Sequence, residues 1–121
     1  MKNNTINIDG IEYVQANKAR ATRLDGMEYV IIRSVDSGVH AGYLLKEETS
    51  DRAVTLGSAR RLWYWEGAAS LSQLASEGVN APDKCKFPCE VEEIKIFGVC
   101  EIIPATETAR QSIASVEIWA A

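Results

Sequence analysis

Ile6, Ile8, Ile11 and Tyr13 alternate with polar residues around Asp9-Gly10. This is the period of a half-buried strand folded back at a dipeptide that tolerates positive φ, so an N-terminal β-hairpin is predicted. Residues 16–26 lose the alternation and carry Lys18, Arg20 and Arg23, as a solvated connection would. Residues 28–35 are rich in Val, Ile and Tyr and predict a strand. Asp36-Ser37-Gly38 then predicts a turn, and residues 39–46 an antiparallel partner. The polar stretch 47–52 marks another turn. Residues 53–56 open a further strand, and residues 60–65, Arg-Arg-Leu-Trp-Tyr-Trp, form one more.

The clearest helix follows. Ser70 with Gln73 three residues on makes a capping box, Leu71, Leu74 and Ala75 supply one apolar face, and Gly78 fits the position after the last turn. Residues 80–88 read as loop, since Pro82 and Pro88 deny ladder donors. Strand character resumes over 92–97 and 99–103 with a bend or bulge at Gly98, and Pro104 closes the second strand. Thr106 caps a second short helix with Glu107 in its first turn, and residues 116–119 suggest a last strand. The expected fold is α+β: an antiparallel sheet, two short helices and the N-terminal hairpin. One domain over residues 1–121 is expected, with 1–26 appended to a main body at 27–121.

Composition supports a folded core: of 121 residues, 46% are hydrophobic and 25% charged, which disfavours disorder or coiled coil. No apolar run reaches a membrane span, and the Met-Lys-Asn-Asn start lacks a signal peptide's apolar stretch, so a cytoplasmic protein is expected. Thirteen basic against seventeen acidic residues give a net charge of −4, which argues against duplex DNA as a partner. The three cysteines, Cys85, Cys89 and Cys100, are odd in number. Cys85 and Cys89 have a spacing zinc accepts, but completing a site needs distant Cys100 and His40, so reduced thiols and no metal or cofactor are expected.

Signatures of catalysis are missing: there is no Walker loop, dinucleotide fingerprint, His-Glu-x-x-His or nucleophile elbow. With His40 the lone histidine and the Glu47-Glu48 and Glu92-Glu93 pairs in solvated contexts, a non-enzymatic role is expected. Two stretches stand out. In the first, Gly38 and Gly42 flank His40. The glycines either let backbone amides meet an anion, with His40 donating to a phosphate or carbonyl, or make a tight turn plus one strand glycine under a neighbouring aromatic ring. In the second, strand alternation places Arg61, Trp63 and Trp65 on one face and Arg60, Leu62 and Tyr64 on the other. Arginines can fork to phosphate and rings can stack on a base, whereas the same residues also make a core edged by solvated cations.

Tyr-Val-Ile-Ile-Arg at 29–33, Ser-Gly-Val-His-Ala-Gly at 37–42, Ala-Arg-Arg-Leu-Trp-Tyr-Trp at 59–65, Gly-Ala-Ala-Ser-Leu-Ser-Gln-Leu-Ala at 67–75 and Glu-Ile-Ile-Pro at 101–104 carry a resemblance. They resemble a family of small uncharacterised phage- and prophage-encoded proteins, over roughly 28–119. The resemblance implies a viral or prophage origin and assigns no catalytic residue. By analogy, phage proteins of this size bind host defence proteins, sequester nucleotide signals or join the virion. The expectation is a binding module, in a host bacterial cell, that sequesters a nucleotide-type ligand through Arg33, His40, Arg60, Arg61, Trp63 and Trp65, with homo-oligomers as one way of building the pocket. The alternative is a protein–protein module that inhibits a host factor or serves the virion, its acidic balance suiting a basic partner.

Overall fold

A computed structural model describes residues 20–21 and 25–120. The expected hairpin at 6–15 lies outside the described residues. The elements are β1 (Tyr29–Ser34), β2 (Gly38–Glu48), β3 (Ala53–Arg61), α1 (Leu71–Glu77), a 3-10 turn (Pro82–Lys84), β4 (Val91–Ile96), β5 (Val99–Pro104) and α2 (Glu107–Ser115). All strand pairings in the sheet are antiparallel, in the order β4-β3-β2-β1-β5. The five-stranded sheet with two helices agrees with the α+β expectation.

β4 and β5 lie at opposite edges, yet only Phe97 and Gly98 join them. A flat sheet would separate the edges by about 19 Å, since strands sit roughly 4.8 Å apart, while three extended residues reach about 10 Å. The sheet must therefore coil into a barrel. Its interior is a core drawn from all five strands, including Val30, Ile32, Leu44, Leu56, Ile96 and Val99. Its outer face carries Tyr29, Ile31 and Ala41, which pack with Leu74 of α1, Ile113 of α2, Leu62 and Phe87. β1 is thus buried on both faces, which is why its sequence is a continuous apolar run.

β3 runs unbroken from Ala53 to Arg61, so the two short strands expected there are one, and it ends four residues before Trp65. Ser58 sits at φ 46° and forms a bulge: Tyr43 pairs Gly57, but Ala41 pairs Arg60. At Gly42 an added Cβ would lie 3.0 Å from the Gly57 carbonyl oxygen and 3.1 Å from the Ala59 Cα, so this glycine has a steric reason within the sheet.

Both helices form as their caps predict. Ser70 accepts from the Gln73 amide, and Thr106 accepts from the Ala109 amide. The Gln73 side chain accepts from the Ala69 amide, one residue before the capping-box position. Gly78 ends α1 at φ 81°, where a Cβ would come within 2.3 Å of the Ser112 Cβ; Ser112 in turn bonds the backbone of Val79. Residues 116–119 are not a strand but make one parallel bridge, Phe87 to Ile118. Ala21 departs from the expected solvated connection. It is fully buried, donates to Ala105 and accepts from Tyr29.

Candidate functional site

Arg60 and Leu62 share one face and Arg61 takes the other, as alternation expects, but β3 ends at Arg61 and the residues after it leave the alternation. Arg60 is buried on the helix-covered face. Its Nε donates to the Pro88 carbonyl at 2.8 Å, Nη1 to Ile113 at 2.8 Å and Nη2 to Phe87 at 3.1 Å, and the guanidinium lies over the Phe87 ring. Burial pulls its pKa below the ordinary arginine value. All three nitrogens are occupied by main chain, so Arg60 ties β3 to α2 and to the segment before β4. Leu62 is likewise core, and Trp65 packs half-buried against the same cluster.

Arg61 and His40 are cross-strand partners on the opposite, barrel-interior face. Arg61 is exposed and its Nη1 donates to the Ser37 carbonyl at 2.8 Å. His40 is 1% exposed, and neither ring nitrogen has a hydrogen-bond partner among the described residues. Burial, and secondarily the Arg61 charge, push its pKa down to about 4. Arg33 stands on the other face of the sheet, paired with Glu101 at 2.8 Å, and that bond raises its pKa. The six residues expected to act together therefore separate into four locations: an ion pair at the β1–β5 edge, the barrel end, the interior beneath α2, and the chain after β3.

Trp63 is the one that reaches an unanticipated assembly. Its ring stacks on Trp119 with centroids 5.0 Å apart and planes 9° apart. Lys86 sits 5.6, 5.7 and 5.8 Å from the Trp63, Tyr64 and Trp119 rings, and a Tyr64–Lys86 bridge fixes the backbones. Trp63, Tyr64, Trp119 and Ile118 nonetheless remain 58%, 43%, 45% and 64% exposed, too much for a core role. Beside Trp119 runs a groove of about 450 Å³ lined by Pro82, Ile118, Asp83 and Glu117 among others. Neither Asp83 nor Glu117 makes an ion pair with a described residue. Sequence reasoning missed Lys86, Trp119, Asp83 and Glu117, because the Phe87–Ile118 bridge that gathers them is long-range.

Cys85 is buried, with its thiol directed to the Glu66 and Ala81 carbonyls, while Cys89 and Cys100 are exposed and free. Among the described residues no three His, Cys, Asp or Glu side chains gather as a metal site. No described helix is long and apolar enough to cross a membrane.

Residues 27–113 match the family described as a domain of unknown function, DUF6948, and the chain belongs to that family. No curated protein and no solved structure matches the chain.

Proposed function

We propose that this domain is a non-enzymatic protein-binding module that receives a basic, partly apolar segment of a partner protein on the Trp63–Trp119 face. The observation that carries the reading is the exposed stacked pair beside a groove whose carboxylates, Asp83 and Glu117, pair with no described cation. Tryptophan and tyrosine are the side chains that most often dominate protein interfaces. A partner lysine or arginine can lay its stem on Trp119 and bring its charge to Asp83 and Glu117. The net charge of −4 steers the same kind of partner. A phage or prophage accessory protein acting in the host cytoplasm on a basic host factor fits this chemistry.

Sequestration of a nucleotide-type ligand is the second reading, favoured by the exposed ring of Trp63 beside Lys86. It is the weaker of the two. Arg60 is committed to main-chain carbonyls, Arg61 is on the barrel-interior face, and the carboxylates of the groove repel phosphate.

Calorimetry with a peptide of alternating arginine and leucine, its glutamate–leucine counterpart, and a panel of linear and cyclic nucleotides tests both. The basic peptide should bind and weaken as salt rises, and Trp119→Ala and Glu117→Gln should each lower affinity about tenfold. Nucleotide binding that is lost in Trp63→Ala would install the second reading. Equal binding of both peptides, or of neither, would refute the first.

A further inference from the structure

His40 is where the fold leaves polar chemistry unfinished. A neutral imidazole carries one donor and one acceptor, and each is costly when buried without a partner. Both His40 nitrogens are in that state at the end of the barrel interior. They are not isolated: His40 contributes to the wall of a pocket of about 180 Å³ with Arg61, and Ala59, Val91 and Ile94 supply apolar surface. Arg61 makes no ion pair with a described carboxylate, and its hydrogen bond from Nη1 to the Ser37 carbonyl leaves Nε and Nη2 uncommitted among the described residues. It is also the charge that faces His40; Cys89, on the same wall, is the other titratable group there.

We infer that the barrel-end pocket binds a small organic carboxylate, with Arg61 holding the carboxylate, His40 donating a hydrogen bond to it, and Ala59, Val91 and Ile94 enclosing its apolar body. One guanidinium and one neutral donor match a planar monoanion, whereas a phosphate dianion would find too little positive charge. The space is close to the roughly 150 Å³ cavity that holds benzene in an engineered protein core, so the body is a branched alkyl group or a single ring. Mouths of β-barrels are common places for such pockets. The imidazole nitrogens are closed to solvent in the free protein, so entry requires part of the wall to yield. Arg61, Cys89 and Val91 are the exposed members, and Arg61 can move by exchanging the Ser37 carbonyl for the ligand carboxylate without losing a hydrogen bond. The inference is independent of the aromatic face, which is built from other residues.

The carboxylate can be a free acid or the C-terminus of a peptide, and the test separates these. His40 is the sole histidine, so its imidazole proton is an unambiguous NMR probe. Benzoate should shift that resonance saturably by about 10 mM and raise the His40 pKa, because an anion then faces the ring. Benzamide, of the same shape without charge, should not. Arg61→Gln, a change at the surface, should keep the folded spectrum and lose at least about tenfold in benzoate affinity. A short peptide ending in valine is compared with its amidated form: tighter binding of the free-acid peptide than of benzoate assigns the site to a chain terminus, and the reverse to a free acid. Equal response to benzoate and benzamide, unchanged affinity in Arg61→Gln, or no shift with any probe would overturn the inference, the last leaving His40 to an internal water.

Discussion

Replacing Arg60 with methionine separates the two roles that its sequence allows. Methionine fills nearly the same volume but removes the donors to Pro88, Ile113 and Phe87 at once. Hydrogen bonds from a charged donor contribute about 1.5–3 kcal/mol each, and a carbonyl left buried without a partner costs a comparable amount. Part of that loss is offset, since methionine needs no desolvation of a charge and retains contact with the Phe87 ring. The net cost should be about 3–5 kcal/mol, a large share of a typical domain's stability. Urea unfolding followed by far-ultraviolet circular dichroism would show this as a lower midpoint at unchanged slope, and thermal unfolding as a fall of roughly 10–20 °C. Arg60→Lys should be nearly as damaging, because an ammonium lacks the planar fork that reaches three carbonyls. Arg61→Gln, at the surface, should stay within about 0.5 kcal/mol. A loss below about 1 kcal/mol in Arg60→Met would refute the structural role, and if nucleotide binding disappeared in that still-stable variant, Arg60 would be a ligand group after all.

Leu74 is fully buried between α1 and the sheet, so Leu74→Ala should cost about 2–5 kcal/mol in the same denaturation assay; a change under about 0.5 kcal/mol would make α1 peripheral. His40 should make the fold acid-sensitive. Its pKa falls from 6.5 to about 4 on folding, so the unfolded chain binds the extra proton; the contribution is complete above 6.5 and is lost as pH drops to about 4. Up to ~3 kcal/mol should vanish across that window, and His40→Gln should flatten the profile there; identical profiles would refute the burial argument. Deleting residues 1–26 should cost about 1–3 kcal/mol more than deleting 1–19, because only the former removes the buried Ala21 and its bonds to Ala105 and Tyr29; equal stabilities would show that Ala21 adds nothing.

Local chemistry was legible wherever it is decided by neighbours in the chain. Ser70, Gly78 and Thr106 bound their helices as read, since a cap needs only a side chain and the next turn's free amides. The strands at 28–35, 39–46, 92–97 and 99–103 were also legible, because apolar β-branched runs between turn residues have few other solutions. What the chain order concealed was decided by tertiary contact. Alternation did separate Arg60 and Leu62 from Arg61, but β3 ends at Arg61, so counting by twos back from Trp65 put Arg61 on Trp65's face although the two stand on opposite faces. Arg60 resembles any surface cation in sequence and becomes interior only because α2 and Phe87 present carbonyls to it. Trp63 finds Trp119 only because residue 118 pairs with Phe87, and His40 is stripped of partners only because coiling the sheet closes the barrel over it. Period and propensity report which residues are buried or capped locally; which distant groups then face one another is set by strand order, bulges and coiling, which no single segment encodes.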